Sequence, residues 1–359
     1  MHKVASRQGR FESVSYLTCS RNRRISRKPQ MRYRLIYATI VVLGSVRIVC
    51  AQSSEVRLES AQAKITTVSA MRARTAPQVS APEIARLKLG TVVNATARSS
   101  EQDTVGGKTD YWYQVSLANG QAGWLFGGLL LDYDAGQRQQ LIAQIVEARL
   151  KAENTDFSDR QEIYNLAARS LTEAKDVNSR AEFELLKLLA LASWAAAFPN
   201  DQSDKPSYRE WLVKHAAEVV PNEFAGGYNM RSELLWNLEV KYRALPIADR
   251  IAWAAAENPQ PHDCEGDEVC HLFVFEGAVK YLNLHPSGGH AAEAVKNLNE
   301  LVTDDVINRA NGKDGDKYVA EERAGLRKLL ASLRRALAKT SVAEKSELLK
   351  KLERVSLPR

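Results

Sequence analysis

Trp112-Tyr113-Gln114-Val115-Ser116-Leu117-Ala118-Asn119-Gly120-Gln121-Ala122-Gly123-Trp124-Leu125 is the stretch that decides how the first part of this chain folds. Two short runs, each carrying a tryptophan, flank Asn119-Gly120. That dipeptide supplies the positive φ angles a tight hairpin turn needs. Working outward, short apolar groups keep alternating with turn residues. Lys64 to Val68 is β-branched and suits a first strand, Met71 to Arg74 ends before Pro77, and Ile84 to Leu87 ends before Gly90. Thr91 to Ala95 is followed by a polar loop, Ser99 to Asp110, that contains Gly106-Gly107. Strands at this spacing predict a small β-barrel or sandwich over residues 64–133.

Met71-Arg72-Ala73-Arg74-Thr75-Ala76-Pro77, Gly90, Trp112 to Val115, Asn119-Gly120 and Gly123-Trp124-Leu125 together resemble the bacterial SH3-like domains. In that family a Leu-Asn-Val-Arg opening, a turn glycine and two tryptophan strands fall in the same order. Met71, Arg72 and the long Ser99 to Asp110 loop depart from its pattern. The resemblance implies a β-barrel that binds peptidoglycan peptides or another envelope component. Trp112 and Trp124 are read as core, because aromatic side chains dominate the burial open to so small a domain. Gly90, Gly120 and Gly123 are read as backbone devices, and Arg74 as a hydrogen-bond donor to strand ends. A ligand surface is expected at Tyr111, Tyr113 and Phe126, beside the Ser99 to Asp110 loop.

From Asp134 the apolar period changes from two to that of a helix and stays there. Helices are expected over 135–152, 159–174 (capped by Ser158), 179–197, 207–219, 229–244, 247–257, 269–284, 291–302, 317–338 and 342–355. Residues 135–359 then form an all-α bundle or solenoid. Trp194-Ala195-Ala196-Ala197 recurs as Trp253-Ala254-Ala255-Ala256, and His215-Ala216-Ala217-Glu218 as His290-Ala291-Ala292-Glu293, without a fixed period. Tyr281 to Leu298 resembles one tetratricopeptide hairpin.

Charge narrows the range of partners. Of the 50 Lys and Arg residues, eleven lie in residues 1–51, beside a single acid, Glu12. Residues 52–359 therefore carry 39 basic and 42 acidic side chains, which removes the electrostatic case for nucleic-acid binding. Residues 1–51 read as a basic leader and signal peptide: Arg32 and Arg34, an apolar run from Leu35 to Val46, and Val49-Cys50-Ala51 before the cleavage point. Translation is expected to begin at Met31. Membrane contact is expected only through an uncleaved leader, and residues 52–63 read as a polar linker.

After cleavage only Cys264 and Cys270 remain. In an exported chain they are expected to pair as a disulfide. His262 and His271 beside them invite a metal reading, but the spacing is wrong for zinc or a covalent haem site. Asp263, Glu265, Asp267 and Glu268 lack the alternation of a calcium loop. His215 with Glu218 and His290 with Glu293 match the His-x-x-Glu spacing of some zinc peptidases. A pair of i,i+3 contacts explains them more simply.

No catalytic residue, metal or cofactor is assigned from the sequence. The expectation is an exported, non-enzymatic envelope binding or scaffold protein with an SH3-like module. A metal-dependent envelope hydrolase, or an SH3-like module that is purely structural, are the alternatives.

Overall fold

The computed structural model describes residues 55–153, 155–222, 226–258, 264, 267–313 and 320–356; the segment read as a leader, residues 1–51, lies outside them. The first part is β1 (Glu55–Thr66), β2 (Met71–Arg74), β3 (Glu83–Leu87), β4 (Val92–Ser99), β5 (Asp103–Val105), β6 (Lys108–Asp110), β7 (Trp112–Ser116), β8 (Ala122–Phe126) and β9 (Leu130–Asp132). Seven of these strands form one antiparallel sheet in the order β3-β2-β8-β7-β4-β1-β9. In β4 the side chains of Val93, Ala95, Ala97 and Ser99 face inward while Val92, Asn94 and Thr96 face solvent, the alternation of a strand with one covered face. Met71, Ala73, Val93, Ala95, Val115, Leu117, Leu125 and Leu130 close the sheet around one small core. The β7–β8 connection turns at Gly120, whose φ of 79° fits the expected Asn-Gly hairpin.

Two features of this part differ from the sequence expectation. Residues 55–63 belong to β1, not to a linker, and Glu55, Val56 and Arg57 pair with Ser99, Arg98 and Ala97 beyond a bulge. Their polar composition hid the strand, because most of its side chains there are solvated and only Leu58 packs on the sheet core. The Ser99 to Asp110 loop is itself a hairpin, β5–β6, turning at Gly106-Gly107 with φ of 58° and 79°.

The second part runs through α1 (Arg138–Leu150), α2 (Phe157–Glu173), α3 (Val177–Ala196), α4 (Pro206–His215), β10 (Val219–Pro221), β11 (Tyr228–Met230), α5 (Glu233–Tyr242), α6 (Ala248–Ala256), α7 (Glu268–Val274), α8 (Glu276–Leu284), α9 (Ala291–Leu301), α10 (Asp304–Ala310), α11 (Ala320–Lys339) and α12 (Lys345–Glu353). Asp156, not Ser158, caps α2, accepting from the Asp159 N–H at 2.8 Å. The expected helix over 207–219 stops at His215 so that Val219–Pro221 can pair with Tyr228–Met230. The expected 269–284 helix breaks at Phe275, and α10 was not anticipated. No helix among the described residues is long and apolar enough to cross a membrane.

The helices pack around two successive apolar clusters. One holds Ile142, Phe183, Leu186, Trp194 and Leu235, the other Leu272, Tyr281, Leu298, Leu330 and Leu348, and Trp236 packs against both. Ile65 from β1 and Leu89 from the β3–β4 turn, at 0% and 1% exposure, are members of the first helical cluster. The Leu89 N–H donates to Glu162 Oε2 on α2 at 2.9 Å. Two residues of the β part, Ile65 and Leu89, are therefore built into the first helical core, beside the separate core of the sheet.

Candidate functional site

The β part presents an apolar cleft of about 280 Å³ at the end of the module formed by the β2–β3 connection, the β5–β6 hairpin and the start of β7. Its floor is Trp112 and Phe126, cross-strand partners whose rings meet edge to face at 5.5 Å. Trp112 is fixed from three sides: its backbone N–H donates to Ser99 Oγ at 3.0 Å, its indole N–H to Asp103 Oδ2 at 3.1 Å, and Phe126 covers its edge. Val79 and Val105 form the two lips, and Val79 is half exposed. Ala70, at φ 48° in the turn before β2, lines the wall with a conformation that costs an alanine about 1 kcal/mol.

Two arginines border the cleft and do different things. Arg74 Nη1 donates to the Ala81 carbonyl at 2.7 Å, tying the β2–β3 connection to its strand, the structural role expected of it. Arg72 is exposed and meets Glu83 only at 3.5 Å. Glu83 also takes the Arg86 guanidinium, and that hydrogen bond holds its carboxyl below the ordinary range. Arg72 is therefore the cation at the rim with the most freedom to turn toward a ligand.

The expected binding residues divide. Phe126 belongs to the cleft but as its floor, 3% exposed, not as an exposed neighbour. Strand β8 is covered on both faces, by the barrel core at Leu125 and by Trp112 at Phe126, so alternation does not predict its burial. Tyr111 and Tyr113 are half-buried and lie outside the residues lining the cleft. The Arg98 guanidinium sits 3.9 Å over the Tyr111 ring and Lys64 Nζ 4.5 Å over that of Tyr113. Val79 and Val105 were missed. Their only signal was a lone valine in each of two turn-rich segments, Pro77 to Pro82 and Asp103 to Asp110.

In the helical part each histidine meets its own glutamate: His215 Nδ1 lies 2.6 Å from Glu218 Oε2, and His290 Nδ1 3.3 Å from Glu293 Oε2. The His215 hydrogen bond is the largest cause holding the Glu218 carboxyl below its ordinary range. The recurring Trp-Ala-Ala-Ala segments complete the pattern. Trp194 packs on His215 and Tyr164, and Trp253 packs on His290 and Tyr281, so both copies bring together Tyr, Trp, His and Glu, with the rings edge-on at His215 and stacked at His290. Among the described residues no three His, Cys, Asp or Glu side chains converge as metal ligands, and the two pairs lie in different helical clusters.

Cys264 and Cys270 lie at disulfide distance, with Cα atoms 5.4 Å apart. Asp267 between them caps α7 and meets Arg309 Nη1 at 2.8 Å, which occupies one of the acids considered for calcium. Asp263, Glu265 and His262 lie outside the described residues. Three further clefts open between helices: about 560 Å³ beside Trp236 and Phe273, about 570 Å³ beside Glu293, Lys296 and Glu347, and about 310 Å³ beside Trp253, Glu257 and Phe275.

Comparison with known families places residues 69–130 under the bacterial SH3 domain. No curated protein and no solved structure matches the chain. The tetratricopeptide-like resemblance of residues 281–298 is not confirmed. The cleft, the tryptophan strands and the Asn119-Gly120 hairpin thus belong to a bacterial SH3 domain, followed by an α-helical region.

Proposed function

We propose that this protein acts in the bacterial envelope by binding, not by catalysis, and that its SH3 domain holds an extended wall peptide in the cleft between Val79 and Val105. The supporting observation is the aromatic floor of Trp112 and Phe126 beneath two apolar lips, with the exposed Arg72, paired to Glu83 only at 3.5 Å, at the rim where a peptide carboxylate would meet it. Such a cleft suits a narrow, backbone-rich ligand: apolar walls exclude water and one cation sets the direction of the chain. The helices then serve as the scaffold that carries the domain. Export fits the leader read in residues 1–51 and the cysteine pair. Cosedimentation of the whole protein with purified sacculi tests the proposal. Retention above that of an unrelated protein of similar charge supports it, and equal retention sinks it.

One observation favours a second reading, in which the β part is a structural cap. Ile65 and Leu89 are built into the helical core, so the domain is bound to the helices whether or not its cleft is used. Under that reading, disrupting the cleft lips leaves every binding activity of the protein unchanged.

A further inference from the structure

Charge is segregated along this chain in a way its overall balance conceals. Residues 323–359 carry eleven Lys or Arg against three Glu, whereas residues 52–322 carry 28 against 39 acids. The structure shows where the excess goes. Helix α11 buries Leu326, Leu330, Leu333, Ala336 and Leu337 in the second helical cluster and turns its other side to solvent. Lys328, Arg335 and Lys339 follow at intervals of seven and four residues, which places them within one narrow stripe of that outer side, about 16 Å long. Arg334, about 100° around the helix from Arg335, is exposed on the flank of the stripe, and Lys350 on α12 is exposed as well.

Other cations of this segment are in use: Arg327 donates to the Ala310 carbonyl, Lys351 to that of Asn299, and Arg354 meets Asp304 at 2.7 Å. Lys328, Arg334, Arg335, Lys339 and Lys350 have no hydrogen bond or ion pair among the described residues. Completing the helix dipole accounts for Lys339 in the last turn, but not for Lys328, Arg334 and Arg335 further back.

We propose that the outer face of α11, assisted by Lys350, is a docking surface for an anionic phospholipid bilayer. Charge complementarity and surface shape both point to this occupant. The stripe lies on a convex helix face, and its residues line none of the four clefts described above. Residues 320–356 contain no aromatic side chain on which nucleic-acid bases could stack. They expose no large hydrophobic side chain that would insert into the acyl region. What remains is a row of cations fit for adsorption at headgroup depth, where the negative surface potential favours each Lys or Arg roughly fivefold. The acidic balance of residues 52–322 is repelled by the same surface, so contact of the chain from residue 52 is oriented through α11. The sequence expectation confined membrane contact to the leader; this contact is peripheral and independent of both the leader and the SH3 cleft.

The test is flotation of the chain from residue 52, which forms one compact unit and lacks the eleven cations of residues 1–51, with vesicles of equal parts phosphatidylglycerol and phosphatidylcholine, compared with pure phosphatidylcholine. Binding is expected only to the anionic vesicles, and raising salt from about 0.1 M to about 1 M, which shortens the screening length to about 3 Å, should abolish it. K328E/R335E/K339E should lose about 100-fold in partition or more. K328Q/R335Q/K339Q, which keeps helix propensity, should lose nearly as much, and circular dichroism checks that both remain folded. K88E/K214E/K296E makes the same change of net charge at exposed sites elsewhere and should stay within about threefold of the parent. The proposal is overturned if the two glutamate triples fall equally, if neither falls, or if the protein binds single-stranded DNA through these three cations and leaves the vesicles alone.

Discussion

The backbone N–H of Leu89, in a turn of the β part, donates to the Glu162 carboxylate of helix α2 at 2.9 Å, and the Leu89 side chain is buried among the helices. A turn that would be solvated in an isolated SH3 domain is here part of a second core. Leu89→Ala should therefore destabilise by about 2–4 kcal/mol, the cost of truncating a buried leucine. The loss should show in both parts at once. Urea unfolding followed by hydrogen exchange resolved by peptide, for β7 and β8 and for the helices, should give one coincident transition that shifts as a unit in the variant. Separated transitions would contradict the shared core.

Gly90, the next residue, has φ 75°, and a Cβ there would lie 2.7 Å from Leu166 Cδ1 on α2. Gly90→Ala should cost about 1–2 kcal/mol from the left-handed backbone alone. The terminal methyl of Leu166 can give way, so Leu166→Ala, which itself truncates a buried leucine, should show only a small favourable coupling with Gly90→Ala in a double-mutant cycle. A thermal-melt comparison of the single and double variants measures both.

Glu239, 1% exposed on α5, accepts two hydrogen bonds from Arg243 and faces His285 Nε2 at 3.4 Å. The Arg243 hydrogen bonds are the largest cause depressing its carboxyl below the ordinary 4.5. A depressed folded-state pKa contributes stability that is present above the unfolded value and is lost as pH falls through the folded one. Urea midpoints of the wild type should therefore exceed those of Glu239→Gln at about pH 6–7, about two units above the unfolded carboxylate, and converge with them in acid below about pH 4. A difference that does not depend on pH would assign the role to shape, not charge.

Much of the β part was legible in the sequence because its signals are local. Asn119-Gly120 fixed a hairpin, and the two tryptophan strands fell on either side of it. The same locality explains the misses. Phe126 lies on a strand covered on both faces, and residues 55–63 pair with β4 with Leu58 alone packed on the sheet core, so neither follows the period-two rule. The helices were legible from their period, while their ends depended on partners distant in the chain. Val219 leaves its helix to pair with Met230, and Asp156 outcompetes Ser158 as a cap. Val79 and Val105 meet across the cleft only once two hairpins are folded, and no spacing rule reports that.

Cys264 and Cys270 should be bonded in protein folded under oxidising conditions. In a C19S/C50S chain, denatured without reductant, thiol labelling should find no free thiol, and two after reduction. Two free thiols before reduction would refute the pairing.

The central claim is that the SH3 cleft binds a wall peptide, and its most direct test is cosedimentation of Val79→Asp/Val105→Asp with purified sacculi beside the wild type. Val79 is half exposed, whereas Val105 packs on the Trp112, Trp124 and Phe126 cluster, so retention is compared at a temperature at which circular dichroism shows the variant folded. Retention should fall by about tenfold or more, since a desolvated carboxylate on each lip opposes an apolar ligand. Retention equal to wild type, with the fold intact, would contradict the claim and leave the β part as a cap on the helices.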